Sequence, residues 1–485
     1  MPESSWPEND AYSELEPLQS LLADFAPLPE SEPNNPKEIR QDGRRRKAAI
    51  VLTLIWSIII VLHLVAWGSW LILGLTSIMA VHALRVIFAP PMTYPNPLTD
   101  GDVATAPSVS IVVAAKNEEA VIGRLVKGLC NLDYPQDRYE VWIVDDNSSD
   151  RTPHVLAELA QQYPNLNVFQ RPLGSGGGKS GALNQVLPLT KGEIIGVFDA
   201  DAQVSPDLIR RVVPLFEKPR LGAIQVRKAI SNLSANAWIR GQVAEMAFDS
   251  YIQQQRTALG GVGELRGNGQ FVRRVALDDC GGWNEETITD DLDLTIRLHL
   301  HRWDIDFMLL PAVQEEGVTR STALWHQRNR WAEGGYQRYL DYWQLILRNR
   351  MGTRKTFDLV MFWLTQYFLP TAAVPDFMMA IWRSHSLILG PIGGLSVSLS
   401  LIGTVVGLRR IRQAQKALQA AEVTPMSGIL QGLVTMIHAL YSTLYLLHWL
   451  PVMASTTARM SIRPKRLKWV KTVHAGTEEL AIENS

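Results

Sequence analysis

Two patterns of apolar residues divide this chain. From Ala48 to Leu84 the polar punctuation is limited to His63, Gly68 with Ser69 and a few other Ser, Thr and His residues, and the next charge is Arg85. One crossing of a bilayer needs about 20 apolar residues, so the run is long enough for two and predicts a transmembrane helical hairpin over residues 48–89. A buried core helix is the alternative, but soluble helices rarely stay apolar over this length. Three more apolar stretches, Phe357 to Trp382, Leu387 to Leu408 and Ile429 to Met453, make residues 357–455 a second set of membrane helices. The first of them holds Pro370, Pro375 and Asp376, which predicts a kinked or partly interfacial segment.

Between these sets, over residues 105–355, the period changes. Ser110 to Ala114, Glu140 to Val144, Asn167 to Gln170, Ile194 to Phe198 and Ala223 to Val226 read as strands. Helical runs such as Ala120 to Cys130, Pro153 to Gln162 and Gly181 to Pro188 separate them. This alternation predicts an α/β domain with a mostly parallel sheet covered by helices on both faces. Ligands then belong at the carboxyl ends of the strands.

Charge changes the picture in two places. Over 485 residues, 47 Lys plus Arg stand against 48 Asp plus Glu, which argues against a polycation built for nucleic acid. Cys130 and Cys280 are the only cysteines, too few for a disulfide scaffold or a four-cysteine zinc site. A mean hydropathy of −0.01 looks soluble but averages unlike parts. Residues 1–47 hold ten acids and six bases with little periodicity and read as a disordered acidic tail, with no sign of a cleaved secretory signal. The run Arg44-Arg45-Arg46-Lys47 places that end in the cytosol, and the hairpin returns the chain there, so the α/β domain is expected to be cytosolic.

Residues 408–485 carry ten bases and four acids, and residues 456–485 read as a basic cytosolic tail. Cations at Arg409, Arg410, Arg412 and Lys416, then from Arg459 to Lys471, place both loop and tail inside. Three full crossings cannot satisfy both. Either one stretch is re-entrant or interfacial, or the tail's charges do not set topology.

The candidate chemistry lies at predicted strand ends. Asp145-Asp146 follows Val141 to Val144, and Asp199-Ala200-Asp201 follows Ile194 to Phe198. An aspartate there is often a turn former or helix cap, but two such pairs on sequential strands point to a site. An Asp-x-Asp carboxylate suits Mg²⁺ or Mn²⁺, which would neutralise a diphosphate. Between the pairs, Gly174 to Gly181 contains Lys179 and invites a P-loop reading, yet Leu173 stands where the first glycine of that motif belongs. A flexible loop and a lysine that holds a nucleotide diphosphate both remain open, with a P-loop nucleotide-binding membrane protein as a remote alternative.

Thr289-Asp290-Asp291 opens the predicted helix Leu292 to His301 and admits two readings. In one, Thr289 caps the helix and both aspartates occupy its favourable first turn. In the other, a carboxylate is a general base for an acceptor hydroxyl, its pKa lowered by the helix terminus and raised again by burial. Gln327-Arg328-Asn329-Arg330-Trp331 suits an interfacial helix with snorkelling arginines, a sugar-stacking indole beside a phosphate-binding arginine, or both.

Lys116-Asn117-Glu118-Glu119, Asp145-Asp146, Lys179, Asp199-Ala200-Asp201, Gly267-Asn268-Gly269, Thr289-Asp290-Asp291 and Gln327 to Trp331 occur in an order that resembles the family-two inverting glycosyltransferases. The resemblance implies a GT-A fold, a Rossmann-like and mostly parallel sheet, with membrane helices added at both ends. By that resemblance Glu118, Asp145, Asp146, Lys179 and Asp199 would serve the nucleotide donor, and Asp201 with Asp199 the metal. Asp291 would be the catalytic base, and Asp290, Gln327, Arg328, Arg330 and Trp331 would meet acceptor or diphosphate. The family commonly has Glu-Asp where this chain has Asp290-Asp291.

Taken over its whole length, the chain resembles the family's membrane-bound glycolipid synthases. That likeness implies UDP-glucose as donor, 1,2-diacylglycerol as acceptor, Mg²⁺ or Mn²⁺ as cofactor, and the lipid bilayer as surroundings, while no oligomeric state follows. The rivals are a processive polysaccharide synthase of the cellulose, chitin or hyaluronan type, for which about five apolar stretches are lean, and a membrane-tethered binding protein that has lost catalysis.

Overall fold

The computed structural model describes residues 36–103, 105–233, 236–419 and 428–462. The expected acidic tail falls outside these residues up to 35, and so does the basic tail beyond 462.

Seven strands form one sheet: β1 (Val109–Ala115), β2 (Tyr139–Asp145), β3 (Leu166–Gln170), β4 (Ile194–Phe198), β5 (Leu221–Ile230), β6 (Gln270–Arg273) and β7 (Asp304–Glu315). Their spatial order is β3-β2-β1-β4-β6-β5-β7. All neighbours are parallel except β6, which runs antiparallel to β4 and β5. The central strands are apolar at consecutive positions because both faces are covered. On β1, Ile111 and Val113 enter one core with Leu125, Leu129 and Leu156, while Val112 enters the other with Leu183, Val197 and Leu294. Strand alternation makes that division. The five strands expected from sequence are present, whereas the short β6 and the strand β7 had not been anticipated.

The helices α1 (Pro36–Leu64) and α2 (Gly68–Ile87) form the N-terminal hairpin. Helix α1 begins inside the stretch expected to be disordered, for a physical reason: Arg44 is buried, forms an ion pair with Asp341 at 2.6 Å and donates to the Glu286 carbonyl at 3.0 Å. The acidic-tail boundary at residue 47 therefore moves back to Pro36. Within the domain, α3 (Ile122–Cys130), α4 (Thr152–Gln162) and α5 (Gly178–Val186) follow the first three strands, and α6 (Ala237–Ala258) follows β5. Helix α7 (Asp290–Leu300) precedes β7, and the long α8 (Ser321–Leu347) follows it.

The C-terminal part contains α9 (Thr353–Trp363), a π-helical segment (Leu364–Phe368), α10 (Leu369–Arg383), α11 (Gly390–Gln419), α12 (Gly428–Leu446) and α13 (Trp449–Ile462). The first apolar stretch, expected to be kinked or partly interfacial, contains the π-helical segment, with Pro375 inside α10. By length and composition, four segments among the described residues suffice to cross a membrane: Gly43–Leu64, Gly68–Ile87, Gly390–Lys416 and Gln431–Ile462.

Candidate active site

The carboxyl ends of β1, β2 and β4 lie side by side, with Ala115 in register with Asp145 and the chain reversing order between β1 and β4. That reversal is a crevice-forming switch point. Two groups of ionisable residues line it.

The first group is closed. Asp145 and Asp146 are fully buried; Ser148 donates to Asp145 through its hydroxyl and, at 3.2 Å, through its backbone N–H. Asp146 forms an ion pair with the fully buried Arg171, whose other nitrogen donates to the Gly176 carbonyl at 2.6 Å. Asp146 thus acts on the glycine-rich loop through Arg171, a residue that the sequence reading did not single out. Glu118 is buried nearby, its backbone N–H donating to the Thr152 hydroxyl at 2.8 Å. Burial lowers the pKa of Lys116, and the Asp146 and Asp145 carboxylates partly oppose that shift.

The second group is open. Asp199 lies just past the end of β4, its carboxylate 41% exposed and paired with Lys179 from the first turn of α5. Gly177 precedes that helix at a φ of 82°, a left-handed turn that glycine adopts readily and that brings Lys179 round to the strand end. Burial lowers the Lys179 pKa, but Asp199, Asp290 and Asp291 outweigh it and raise the value. Asp201 is buried and accepts the Glu316 backbone N–H at 2.9 Å. Asn268, between two positive-φ glycines, accepts the Asp199 N–H at 3.2 Å and donates to Glu315 at 3.2 Å.

Asp290 and Asp291 open α7, but Thr289 makes no side-chain cap. Its side chain instead lies where a Cβ on Gly334 would fall, so α8 crosses the start of α7 at glycine-only distance. This close approach puts Arg330 and Trp331 beside the acidic group. Asp291 accepts the Leu292 N–H at 2.8 Å, yet burial first and then the Asp290 carboxylate push its pKa up to about 6. One Asp290 oxygen, Oδ2, is buried without a partner. Burial lowers the Arg330 pKa, while Asp199, Asp291 and Asp290 act to raise it.

Lys228 on β5, another residue that the sequence reading missed, forms an ion pair with Glu315 at 3.1 Å and lies 5.4 Å from the centre of the Trp331 ring. Only its position two residues beyond the anticipated strand segment could have flagged it. Gln327 is half-buried on α8, one turn before Arg330 and Trp331.

Arg328 departs from its expected place at the acceptor or diphosphate. It is 2% exposed, forms an ion pair with Glu245 on α6 and stacks on Trp331, its guanidinium carbon 4.3 Å from the ring centre. Its successor by two, Arg330, faces the acids instead, because residues two apart on a helix point to different sides.

No group of three or more His, Cys, Asp or Glu residues with metal-holding geometry occurs among the described residues. That fits a hard cation held by one or two carboxylates and completed by substrate phosphates. The partly exposed Asp199, Asp201 and the unpartnered oxygen of Asp290 provide suitable donors.

The chain matches the model of the "Glycosyltransferase like family 2" over residues 106–334. It is 62% identical over 483 residues to the β-monoglucosyldiacylglycerol synthase of Nostoc sp., covering 99% of this chain and 100% of that protein. The β-monoglucosyldiacylglycerol synthase of Synechocystis sp. is 54% identical over 491 residues, covering 100% of this chain and 99% of its own. Among solved structures, the mannosyltransferase PcManGT from Pyrobaculum calidifontis is 21% identical, with a TM-score of 0.49 and coverage of 76% of this chain and all of that one. With its GT-A-like sheet, its open acidic group and relatives matched from end to end, the chain belongs to the family-two glycosyltransferases.

Proposed function

We propose that this glycosyltransferase moves glucose from UDP-glucose to the free hydroxyl of 1,2-diacylglycerol with inversion, giving β-monoglucosyldiacylglycerol. The name of the relatives matched over their whole length supports glucose on diacylglycerol as the product, and the family resemblance supports UDP as the carrier. The mechanism rests on one observation above the others: Asp291 is a half-buried carboxylate at the start of α7, crowded by Asp290, and its pKa is pushed up to about 6, within working range of neutral pH.

Ionised Asp291 takes the proton of the acceptor hydroxyl as its oxygen attacks the anomeric carbon. The bond from that carbon to the UDP oxygen breaks, and its electron pair leaves on the diphosphate. A single displacement inverts the centre, so an α-linked donor gives a β-glycoside. Lys179 and Arg330 bring positive charge to the acidic group where the diphosphate would sit, and act without further reorganisation. A divalent cation, Mg²⁺ or Mn²⁺, supplies charge neutralisation of the diphosphate when bound, with Asp201 and Asp199 as its protein ligands. Trp331 offers an indole face to the sugar or acceptor, and Gln327 a polar edge.

Purified protein given labelled UDP-glucose and diacylglycerol, followed by separation of lipid from polymer, tests this reading. A labelled glycolipid is expected. A water-insoluble polymer without glycolipid would reject it in favour of a processive synthase.

A further inference from the structure

The final apolar stretch, Gln431–Ile462, is long enough to cross a bilayer, but from Tyr441 onward it touches the catalytic domain, while its start pairs with α11 and its end packs on α1 and α10 as well as on α8. Tyr441 donates to the Ala237 carbonyl at 2.8 Å, the Tyr445 ring packs where a Cβ on Gly241 would fall, and Trp449 donates to Glu245 at 2.8 Å. The partners advance four residues at a time on both elements, which is the signature of helices lying side by side in the same direction. After the break between α12 and α13, the pattern moves to α8. Thr456 donates to Asn329 at 2.8 Å, and Arg459 forms an ion pair with Glu333 at 2.6 Å.

The other four apolar segments behave differently. Helices α1, α2, α10 and α11 each reach a distal junction at one end and the domain at the other, the second half of α11 lying along α6 where Cβ atoms on Gly403 and Gly407 would meet Phe248, Ala247 and Tyr251. Near the domain, Arg44 meets Asp341, Gln255 donates to the Val86 carbonyl at 2.7 Å, Tyr336 shares a hydrogen bond with Thr371, and Arg410 donates to Gln255 at 2.6 Å. At the junction, Asp376 pairs with His63 at 2.7 Å and accepts the backbone N–H groups of Ile388 and Leu389, while Arg383 donates to the His63 carbonyl. The candidate span Gly43–Leu64 on α1 covers about 32 Å at 1.5 Å per residue, enough for a hydrocarbon core of roughly 30 Å. Helix α13 joins the core at the domain end, with Ala48, Tyr336 and Leu340, whereas the distal core is built from α1, α2, α10, the start of α11 and neighbouring residues.

We propose that α12 and α13 are a bilayer-surface element docked on the catalytic domain, and that the four crossings are α1, α2, the broken segment ending in α10, and α11. The outward face of α12 fits lipid. Leu433, Ile437, Leu440 and Leu444 are exposed at steps of four, three and four, a single helical stripe, while Thr435, Ala439 and Ser442 are buried on the opposite side. Cations flank the element in sequence on both sides, at Arg409, Arg410 and Arg412 and at Arg463, Lys465 and Arg466, as an interfacial segment over anionic headgroups requires.

This arrangement puts the loop after α11 and the C-terminal tail on the side of the catalytic domain, in accord with their positive charge. It also places the interfacial segment last among the three C-terminal stretches rather than first. Through Arg328, held by Glu245 and stacked on both Trp331 and Trp449, the bilayer-seated element is tied directly to the wall of the active site.

An epitope fused after Ser485 of the otherwise native chain, in sealed vesicles of known sidedness, tests the topology. Antibody should reach it only from the face at which added protease cleaves the catalytic domain, and access only from the opposite face would overturn the proposal. Depth is tested separately. Leu440→Cys carrying an environment-sensitive fluorophore should be quenched more by a nitroxide near the lipid headgroup than by one at the chain end, the reverse of Ile78→Cys in α2. Stronger quenching of the Leu440 probe from the chain end would mean a crossing. The depth experiment is read without reference to sugar or acceptor, and the topology experiment is read the same way when the domain's face is marked by where added protease cleaves the catalytic domain, so the proposal stands or falls apart from the assigned reaction.

Discussion

Two buried clusters of charge in this domain use the same residue types to opposite ends. Around Glu264, three arginines meet three acids. Arg338 and Arg266 lie 3.1 and 3.0 Å from its carboxylate, Arg256 pairs with Asp358 at 2.9 Å, and Arg266 also holds Asp249 at 2.7 Å. Burial raises the Glu264 pKa, but Arg338, Arg266 and Arg256 more than reverse this and bring it down to about 2. Around Asp291 the acids crowd one another, one oxygen of Asp290 has no partner, and the pKa goes up to about 6. The first cluster is balanced in charge, three arginines against three acids, and holds α6, α8 and α9 together. The second is left unfinished, and an unfinished buried charge is where a substrate can bind.

The largest effect should come from removing the unfinished cluster's base. Asp291→Asn is expected to lower kcat about 10³-fold or more while the protein folds and inserts normally, because the amide keeps the shape and cannot take a proton. Near-normal turnover of the purified variant would break the assignment. Asp201→Ala, or chelation of divalent cations from the wild type, should likewise abolish transfer, and added Mg²⁺ or Mn²⁺ should restore only the chelated wild type. Chelator-resistant activity would remove the metal from the account.

The finished cluster should respond in stability instead. Glu264→Gln leaves the buried Arg256 and Arg338 and the half-buried Arg266 short of a carboxylate and should cost about 3–5 kcal/mol, read as a lower Tm in detergent. An unchanged Tm would mean that the cluster does not hold the helices.

The two clusters should also separate on the pH axis. Asp291 must be ionised to act, so kcat/KM should fall about tenfold per unit as pH drops below about 6. Its raised pKa means that the folded state binds that proton more tightly than the unfolded chain, so its protonation does not weaken the fold. Glu264, with its pKa lowered, contributes stability that is present above its ordinary 4.5 and is lost as pH falls toward about 2. Between pH 6 and 4.5 activity should decline while these two groups leave Tm undiminished, and parallel losses would contradict their separation.

The smallest effect is expected at the seam between site and membrane. Arg328→Lys keeps the charge but loses the planar stack on Trp331 and Trp449, and should raise the acceptor KM about 3- to 10-fold with kcat and the donor KM little changed. An equal change in donor KM would place Arg328 at the diphosphate after all.

Much of this was legible in the sequence because local patterns carried it. Apolar runs bounded by turns fixed five strands within a few residues, and the strand-end carboxylates Asp145, Asp146, Asp199 and Asp201 followed from them. Asp291, which we propose as the base, lay at a predicted helix start where a capping role was equally open, and only the family resemblance favoured the base. What stayed hidden depends on pairs distant in the chain. Asp146 is closed by Arg171, Arg328 turns to Glu245, and Arg44 finds Asp341 across 297 positions. No local pattern announces such a partner.

By itself, then, the sequence determined which segments are apolar enough for lipid, which alternate as an α/β sheet, and which carboxylates lie at strand ends, since burial period and turn chemistry are properties of neighbouring residues. Tertiary structure decided which carboxylates are neutralised and which are left reactive, and which apolar helix lies against the domain rather than running to the distal junction. Those outcomes depend on what each side chain faces in space, and Gly334 shows how finely. A methyl group there would meet Thr289 and push the Arg330–Trp331 helix away from the base.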